Sequence, residues 1–485
     1  MRKKIFKMFL WLFGFKSNKM SGDKKGTIII LIDGLSYDAL QFAIKKRYAP
    51  TLKRLSKGSY TLRNYYCGPP ACTTATEALL FYGNNYNIPG FTWYDRTLQK
   101  FVRGNRSLEL SVFEDTFEKK RNLLAHGSVI MGVYTGGATE LSMSGRNLAF
   151  SRSLYFLKTA HYFLMALLYP VQLMRTIYLT LKTIILYRKS NRNTAKETFS
   201  KIFLGQFSCF LTEVEIMRNT EKVFVDFLLY DEYAHEYGPT NSTALSTLRL
   251  IDHYIKRIVN SSKKAERSYE LIILSDHGQT DSIPFDFPEV RCTHDISKAL
   301  NNPEYEVIKT YGGITTSQEK KELYVVPAGS TLQLYFSHSL NNGLYEEEID
   351  KQFPHFISHI LQYEEFGWVL VKKTRDSGVL YGKNGSVAFS PQKTHRIEGS
   401  PFPGMDEGEV KKIISSFQEY CLFPNNGDLV LFGNVKQKKV YSFEKHKGTH
   451  GGFYGPMIHP FIMTNNSKIA GESMSALFDT IALQV

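Results

Sequence analysis

The chain has 485 residues, enough for one large α/β domain or two to three ordinary ones, and 43% apolar content supports a sizeable core. Five cysteines (67, 72, 209, 292 and 421) are an odd number with no CxxC pair, which argues against a disulfide framework or a cysteine-only zinc site. The net charge of +14 is concentrated in two places: residues 1–25 hold eight Lys/Arg against one Asp, and residues 151–203 hold nine against one Glu, leaving the remainder near −1.

The first basic segment, MRKKIFKMFLWLFGFKSNKM, interleaves Lys with Phe, Leu and Trp, and its apolar core is too short and too poorly flanked for a signal peptide. GTIIILIDGLSYDAL (26–40) then reads as a buried strand ending in Asp33-Gly34 and leading into a helix. CGPPACTTATEALLFYG (67–83) places two prolines before Thr73-Thr74 and a helical pattern that stops at Gly83. The second basic segment, within 151–203, is long and apolar but broken by Lys158, Pro170, Arg175 and Lys182, so no run of about 18 apolar residues spans a bilayer. Two readings stand for it: contact with an anionic membrane, where each Lys or Arg contributes about 1 kcal/mol, or a pair of core or interface helices. Nucleic acid fits the charge less well, because the interleaved residues are Leu, Ile, Met and Phe. Residues 186–203 read as an exposed linker.

EKVFVDFLLYDEYAHEYGP (221–239) repeats the strand-then-Asp layout, with the strand expected to give way to a loop, and so does SYELIILSDHGQT (268–280). Near-continuous apolar strands imply a parallel sheet covered on both faces, whose carboxyl ends gather ligands. Beyond residue 290 the pattern becomes mixed: KELYVVPAGSTLQLYFS, GWVLVKKTRDSGVLYG and GDLVLFGN read as strands, with helical EEEIDKQFPHFISHILQY among them. The chain then reaches HKGTHGGFYGP, where His450 stands among Gly448, Gly451 and Gly452.

Several of these residues carry metal or nucleophile chemistry, and each also has a plainer role. Asp231 and His235 are either a helix cap and a surface histidine or two ligands of one cation. Asp33 suits a turn as well as a metal. Asp276 and His277 bind one ion if the chain turns at SDHG. His450 is a loop histidine or a ligand. Zinc favours histidine nitrogen and carboxylate oxygen. Thr73 or Thr74 either caps its helix or offers a hydroxyl at the positive end of the helix dipole, beside NH groups that favour phosphate.

In chain order the pieces run Asp, Thr, Asp-x-x-x-His, Asp-His, His. With them the chain resembles the alkaline phosphatase superfamily, and within it the type I phosphodiesterase/nucleotide pyrophosphatase branch. ILIDGLSYDAL looks like that family's first metal-Asp strand and PPACTTATEALLFYGNNYNIPGFTW like its nucleophile segment, in which a threonine stands ten residues before a glycine; here that is Thr73. YDEYAHEYGP, SDHG and THGG are similar to its remaining ligand blocks, and GDLVLFGN through HGGFYGPMIHPFI to a bacterial, often membrane-associated subgroup. Two departures, Thr-Ala-Thr-Glu after Thr73 and Asn87 in YNIPG, leave nucleotide specificity open.

The resemblance implies an α/β fold with a large, mostly parallel central sheet flanked by helices. It spans residues 26–485, with a helical insertion at about 151–203 and a mixed α/β insertion at about 290–440, after the N-terminal segment 1–25. Carried over residue by residue, Asp231, His235 and His450 hold one divalent ion, and Asp33, Asp276 and His277 hold the other with the Thr73 oxygen beside it. Zinc is expected, with manganese as the alternative. Thr73 then attacks phosphorus, and a phospho-threonine is hydrolysed or transferred. A phosphodiester is the expected substrate; a phosphomonoesterase or phosphotransferase is the alternative. A sulfatase is disfavoured because CTTAT lacks the Pro-x-Arg of that group. Intact ligands argue against a non-catalytic binding protein that keeps the fold, and a membrane scaffold built on the basic-apolar segments would not need six metal ligands. No nucleic-acid-binding domain is expected. The basic segments imply peripheral attachment to a membrane, and a cytoplasmic location otherwise.

Overall fold

The computed structural model describes residues 25–144, 174, 177–178, 181, 195–285, 291–311, 321–390 and 394–485. The N-terminal segment expected over 1–25 lies outside the described residues except for Lys25, and so does most of the insertion expected over 151–203.

Seven strands form the central sheet: β1 (Gly26–Ile32), β2 (Thr61–Asn64), β3 (Ser128–Gly132), β4 (Leu141–Ser144), β5 (Lys222–Phe227), β6 (Tyr269–Leu274) and β7 (Phe461–Thr464). Their order is β2-β7-β6-β1-β5-β3-β4. Only β7 runs against the others, pairing antiparallel with both neighbours. The β1 sequence explains its central place. Ile28, Ile30 and Ile32 enter one core, while Ile29 and Leu31 enter a second core on the opposite face. A strand buried on both faces has no polar side to show water, and so its apolar run does not alternate. Truncating Ile30, which is fully buried, to Ala would cost about 2–5 kcal/mol.

Five helices bear on the site or its support: α1 (Tyr37–Lys45), α2 (Thr73–Tyr82), α3 (Ala195–Met217), α4 (Leu229–Tyr237) and α5 (Ser242–Ser262). The α2 helix packs on the second core through Ala75, Ala78, Leu80 and Phe81, and it ends at Gly83, whose φ of 69° is the left-handed cap that glycine adopts freely. On the other face, α3 and α5 bring Phe210, Val214, Leu248 and Ile251 against β1. A buried ion pair, Arg257 to Glu213 at 2.5 Å, joins these two helices. The linker expected over 186–203 is therefore not a linker in its last nine residues, because α3 begins at Ala195. The polar run NRNTAKE obscured a helix whose apolar residues begin only at Phe199.

The segment after Tyr305 builds a second, eight-stranded sheet in the order Tyr305–Lys309, Lys321–Ala328, Thr331–Phe336, Leu429–Gly433, Phe366–Thr374, Ser377–Gly382, Gly385–Phe389, His395–Gly399. The first pair is parallel and the rest are antiparallel. Its turn at Gly329 reaches the loop that carries His450, where the Ser330 N–H donates to the His450 carbonyl at 3.0 Å. All five cysteines are buried.

Candidate active site

Register brings the site together before any side chain is considered. Ile32 lies opposite Phe227, and Leu31 opposite Leu274, so β1, β5 and β6 end at one edge of the sheet. Asp33 follows β1 directly, Asp276 follows β6 after one residue, and α4 opens just past β5. The segment 229–237, expected as a loop, is the helix α4. The correction matters for the chemistry. Residues four apart face the same side of a helix, and Asp231 Oδ2 meets His235 Nε2 at 3.2 Å.

Two groups of ligand atoms result. Asp231, His235 and His450 offer one atom each within 4.8 Å of one another, and Asp33, Asp276 and His277 do the same. The groups adjoin, because the rings of His450 and His277 stack with centroids 3.9 Å apart. Thr73 stands beside the second group, its Oγ1 3.4 Å from His277 Nε2. All seven residues singled out in the sequence are thus in one place.

The histidines are held for ligation. Nδ1 of His235 donates to the Gly448 carbonyl at 2.8 Å, Nδ1 of His450 to the Ala71 carbonyl at 2.8 Å, and Nδ1 of His277 to the Gly278 carbonyl at 3.0 Å. A carbonyl only accepts, so each Nδ1 carries the proton and each Nε2 is the atom left to bind an ion. Glycine is required where the strands' ends crowd: Gly34 has φ of 71°, and a Cβ there would collide with the Asp231 carboxylate, while its N–H donates to Asp276 Oδ1 at 3.2 Å.

The electrostatics fit a cation pair. His277 Nε2 faces Asp276 Oδ2 at 3.2 Å and Asp33 Oδ1 at 3.5 Å. Both of those carboxylate oxygens are buried without a hydrogen-bond donor. Burial, then the charges of Asp276 and Asp231, push the Asp33 carboxyl well above its usual range. Burial also pushes Asp276 up, to about 6. For His277 burial lowers the imidazole pKa, and for His450 burial and the neighbouring His277 take it down to about 3, so both are neutral with lone pairs exposed to the site. Buried carboxylates facing neutral imidazole lone pairs are mutually unfavourable until positive charge sits between them.

Asp231 and His235 behave differently. Burial would raise the Asp231 carboxyl, but His235, then His450 and His277, hold it well below the usual range. Burial would lower His235, but the Asp231 carboxylate raises it to about 9.

The nucleophile segment settles the capping alternative. The N-cap of α2 is Cys72, and no side chain caps it. Thr74 Oγ1 instead donates to the Gly90 carbonyl at 2.9 Å. Thr73 opens the helix with its hydroxyl toward His277, and the N–H groups of the first turn stand beside it.

The departures flagged in the sequence have structural roles. Glu77 is fully buried and accepts from the Val133 N–H at 2.6 Å, anchoring the end of β3. Asn87, at φ of 73°, accepts from the Asn425 N–H at 2.5 Å and ties the YNIPG turn to the second sheet. Sequence reasoning missed two neighbours. Gln279 Nε2 donates to Asp231 Oδ1 at 2.5 Å and to the Asp231 carbonyl at 2.9 Å; the signal was its place directly after SDHG. His446 lies over His235 with ring centroids 4.1 Å apart, four residues before His450.

Beside Thr73 opens a cavity of about 600 Å³, lined among others by Phe91, Leu110, Val133, Met143, Leu228 and Tyr311. Its charged lining residues are Asp33, Asp231, Glu232 and Glu444; no Lys or Arg lines it among the described residues.

Among solved structures, the alkaline phosphatase PafA matches over 96% of both chains at 12% identity with a TM-score of 0.56, which shows a shared fold. Murine ectonucleotide pyrophosphatase/phosphodiesterase 5 aligns over 94% of both chains at 12% identity (TM-score 0.47). Phosphonoacetate hydrolase from Sinorhizobium meliloti 1021 aligns over 96% of both at 12% identity (TM-score 0.44). No curated protein matches the chain. The family model for type I phosphodiesterase / nucleotide pyrophosphatase matches residues 27–326, which include every site residue except His450. The chain belongs to the type I phosphodiesterase/nucleotide pyrophosphatase family of the alkaline phosphatase superfamily.

Proposed function

We propose that this protein is a two-metal phosphodiesterase that works through a phospho-threonine at Thr73. Asp231, His235 and His450 would hold one divalent ion and Asp33, Asp276 and His277 the other. The all-nitrogen-and-oxygen donor set suits zinc, with manganese as the alternative. Such ions, when bound, neutralise phosphate charge and favour the deprotonated forms of hydroxyl and water.

The chain's own residues do the rest. Burial of Thr73, which is 6% exposed, keeps bulk water from competing with its hydroxyl. The Thr73 oxygen forms a bond to phosphorus as the bond to the leaving alcohol oxygen breaks, in line. The N–H groups at the start of α2 donate hydrogen bonds to the non-bridging oxygens. The released alcohol takes one proton. Water then attacks the phospho-threonine, returning the Thr73 hydroxyl and a phosphomonoester.

The cavity carries the preference for a diester. A phosphomonoester dianion is served by Arg or Lys on its extra charged oxygen. Here the space beside Thr73 offers apolar side chains and two glutamates instead. A diester has one negative charge and a second substituent, which this lining can bury. The test compares kcat/KM for bis(nitrophenyl) phosphate and nitrophenyl phosphate on zinc-loaded protein. The diester should be preferred by about tenfold or more; preference for the monoester would move the assignment to a phosphomonoesterase or phosphotransferase.

A further inference from the structure

The last strand of the second sheet, His395–Gly399, pairs with Gly385–Phe389 on one side and, among the described residues, with nothing on the other. The hydrogen bonds that bracket this pairing fix its parity. The Ser390 N–H donates to the Thr394 carbonyl at 3.0 Å, and the Ser400 N–H to the Asn384 carbonyl at 2.8 Å. Hydrogen-bonded and non-hydrogen-bonded pairs alternate along an antiparallel ladder. Arg396 and Glu398 therefore direct their N–H and C=O groups to the inner neighbour, and His395, Ile397 and Gly399 direct theirs outward. An edge with open donors and acceptors is a template for a further strand.

The side chains along that edge are arranged to receive one. Ile397 lies opposite Val387, on the face that packs against the helix Glu407–Tyr420. Val387 is fully buried there, but Ile397 is 47% exposed, beside a cleft lined by Phe402, Met405, Val410 and Ile414. Arg396 and Glu398 occupy the opposite face of the strand, and their side chains are 81% and 62% exposed.

Charge and register name the partner. A copy of the same strand, reversed about Ile397, brings each outward N–H to an outward carbonyl: Ile397 meets the partner's Ile397, and His395 meets the partner's Gly399. The pairs between them set Arg396 opposite the partner's Glu398, and Glu398 opposite the partner's Arg396. Slipping the register to the next pairings of the same parity sets Arg396 against the partner's Arg396, or Glu398 against the partner's Glu398. Like charges directly opposite disfavour both.

We propose that the chain forms a two-fold dimer by antiparallel pairing of the edge strand His395–Gly399 with its own copy. The pairing continues the second sheet across both molecules and joins their apolar clefts over the two Ile397 side chains. None of these residues lines the cavity beside Thr73, so dimerisation is separable from the reaction.

Sedimentation velocity of the full chain over a concentration series tests the pairing. Wild type should dimerise reversibly. Ile397→Pro removes an N–H that points away from the sheet, a place where an edge strand tolerates proline, and should weaken the dimer about tenfold or more at an unchanged melting temperature. Arg396→Glu alone, or Glu398→Arg alone, sets like charges opposite each other and should weaken it about fivefold or more. The double swap Arg396→Glu, Glu398→Arg restores opposite pairs and should return the dissociation constant to within about twofold of wild type. A wild type that stays monomeric at every concentration overturns the proposal. So does a dimer that Ile397→Pro leaves unchanged, or a double swap no tighter than the single reversals. Both charged side chains are exposed, so the reversals stay folded even should the proline variant not, and wild-type dimerisation in both of them also overturns it.

Discussion

Ala71 and His450 stand 379 positions apart in the chain and share a hydrogen bond of 2.8 Å, from the ring Nδ1 of His450 to the Ala71 carbonyl. The same carbonyl accepts the Gly451 N–H at 3.0 Å. One peptide oxygen, two residues before Thr73, therefore fixes the orientation of the last metal-ligand candidate. The chain leading into Thr73 and the loop that carries His450 are positioned as a unit.

That arrangement predicts how ligand loss divides. His450→Ala and Asp231→Ala should each lower bound zinc by about one ion per chain, because both contribute to the same three-atom group. Asp33→Ala should remove the other ion. Elemental analysis after dialysis reads the result. Full metal content in either His450→Ala or Asp231→Ala would break the grouping.

Thr73 and Thr74 are adjacent and equally buried in character, but only Thr73 points at His277. Thr73→Ala should reduce turnover by about 10³-fold or more, the scale of losing a covalent nucleophile, with metal content near wild type. Thr74→Ala removes a bond to the Gly90 carbonyl and should cost about 1–2 kcal/mol of stability with turnover reduced far less. Trapped phosphate on residue 73, found by mass spectrometry after rapid quench, would support the role. The reverse pattern of activities would transfer it to Thr74.

Gln279 holds Asp231 by two hydrogen bonds from one amide nitrogen. Gln279→Leu keeps the volume and removes the donor. Affinity for the ion of the Asp231 group should fall about 10–100-fold, the range seen when ligand-orienting partners are removed. The ion of the Asp33 group should be nearly unaffected. Competition with a chelator distinguishes the two; equal weakening of both would mean a general loss of structure.

The site was legible in the sequence because its ligands sit at strand ends, and strand ends are marked by apolar runs that stop at Asp. IIILIDG and IILSDHG announce themselves in this way. The α4 helix did not, because VFVDFLLY runs on from β5 with no turn residue between, and the helix is only nine residues long. Gln279 and His446 were hidden for a different reason. Their roles come from the approach of chain segments distant in sequence: Gln279 crosses to α4, and His446 reaches His235 from the loop before His450. The role of Glu77 was likewise not legible in the sequence. It entered the sequence reading only as part of a departure that left nucleotide specificity open, and one turn of α2 carries it away from the cavity and toward β3.

The final prediction concerns protons. In the metal-free protein Asp231 keeps His235 protonated, raising its pKa from 6.5 to about 9 despite burial. A histidine raised in this way stabilises the fold fully below about pH 6.5, and that stabilisation is lost as pH rises through about 9. A cation needs the Nε2 lone pair, so binding at the Asp231 group must expel that proton. His450, at about 3, has none to give at neutral pH, and the depressed His277 likewise binds without loss. At the other group burial and the charges of Asp276 and Asp231 hold the Asp33 carboxyl well above the usual carboxylate range. Loading the Asp231 group at pH 7 should therefore release about one proton, from His235. The share from His235 should vanish as pH passes about 9, and apparent affinity should rise with pH up to that point. Titration calorimetry in buffers of different ionisation enthalpy measures the release directly. A heat of zinc binding independent of buffer at pH 7 would show that the Asp231–His235 pair carries no proton for the ion to displace.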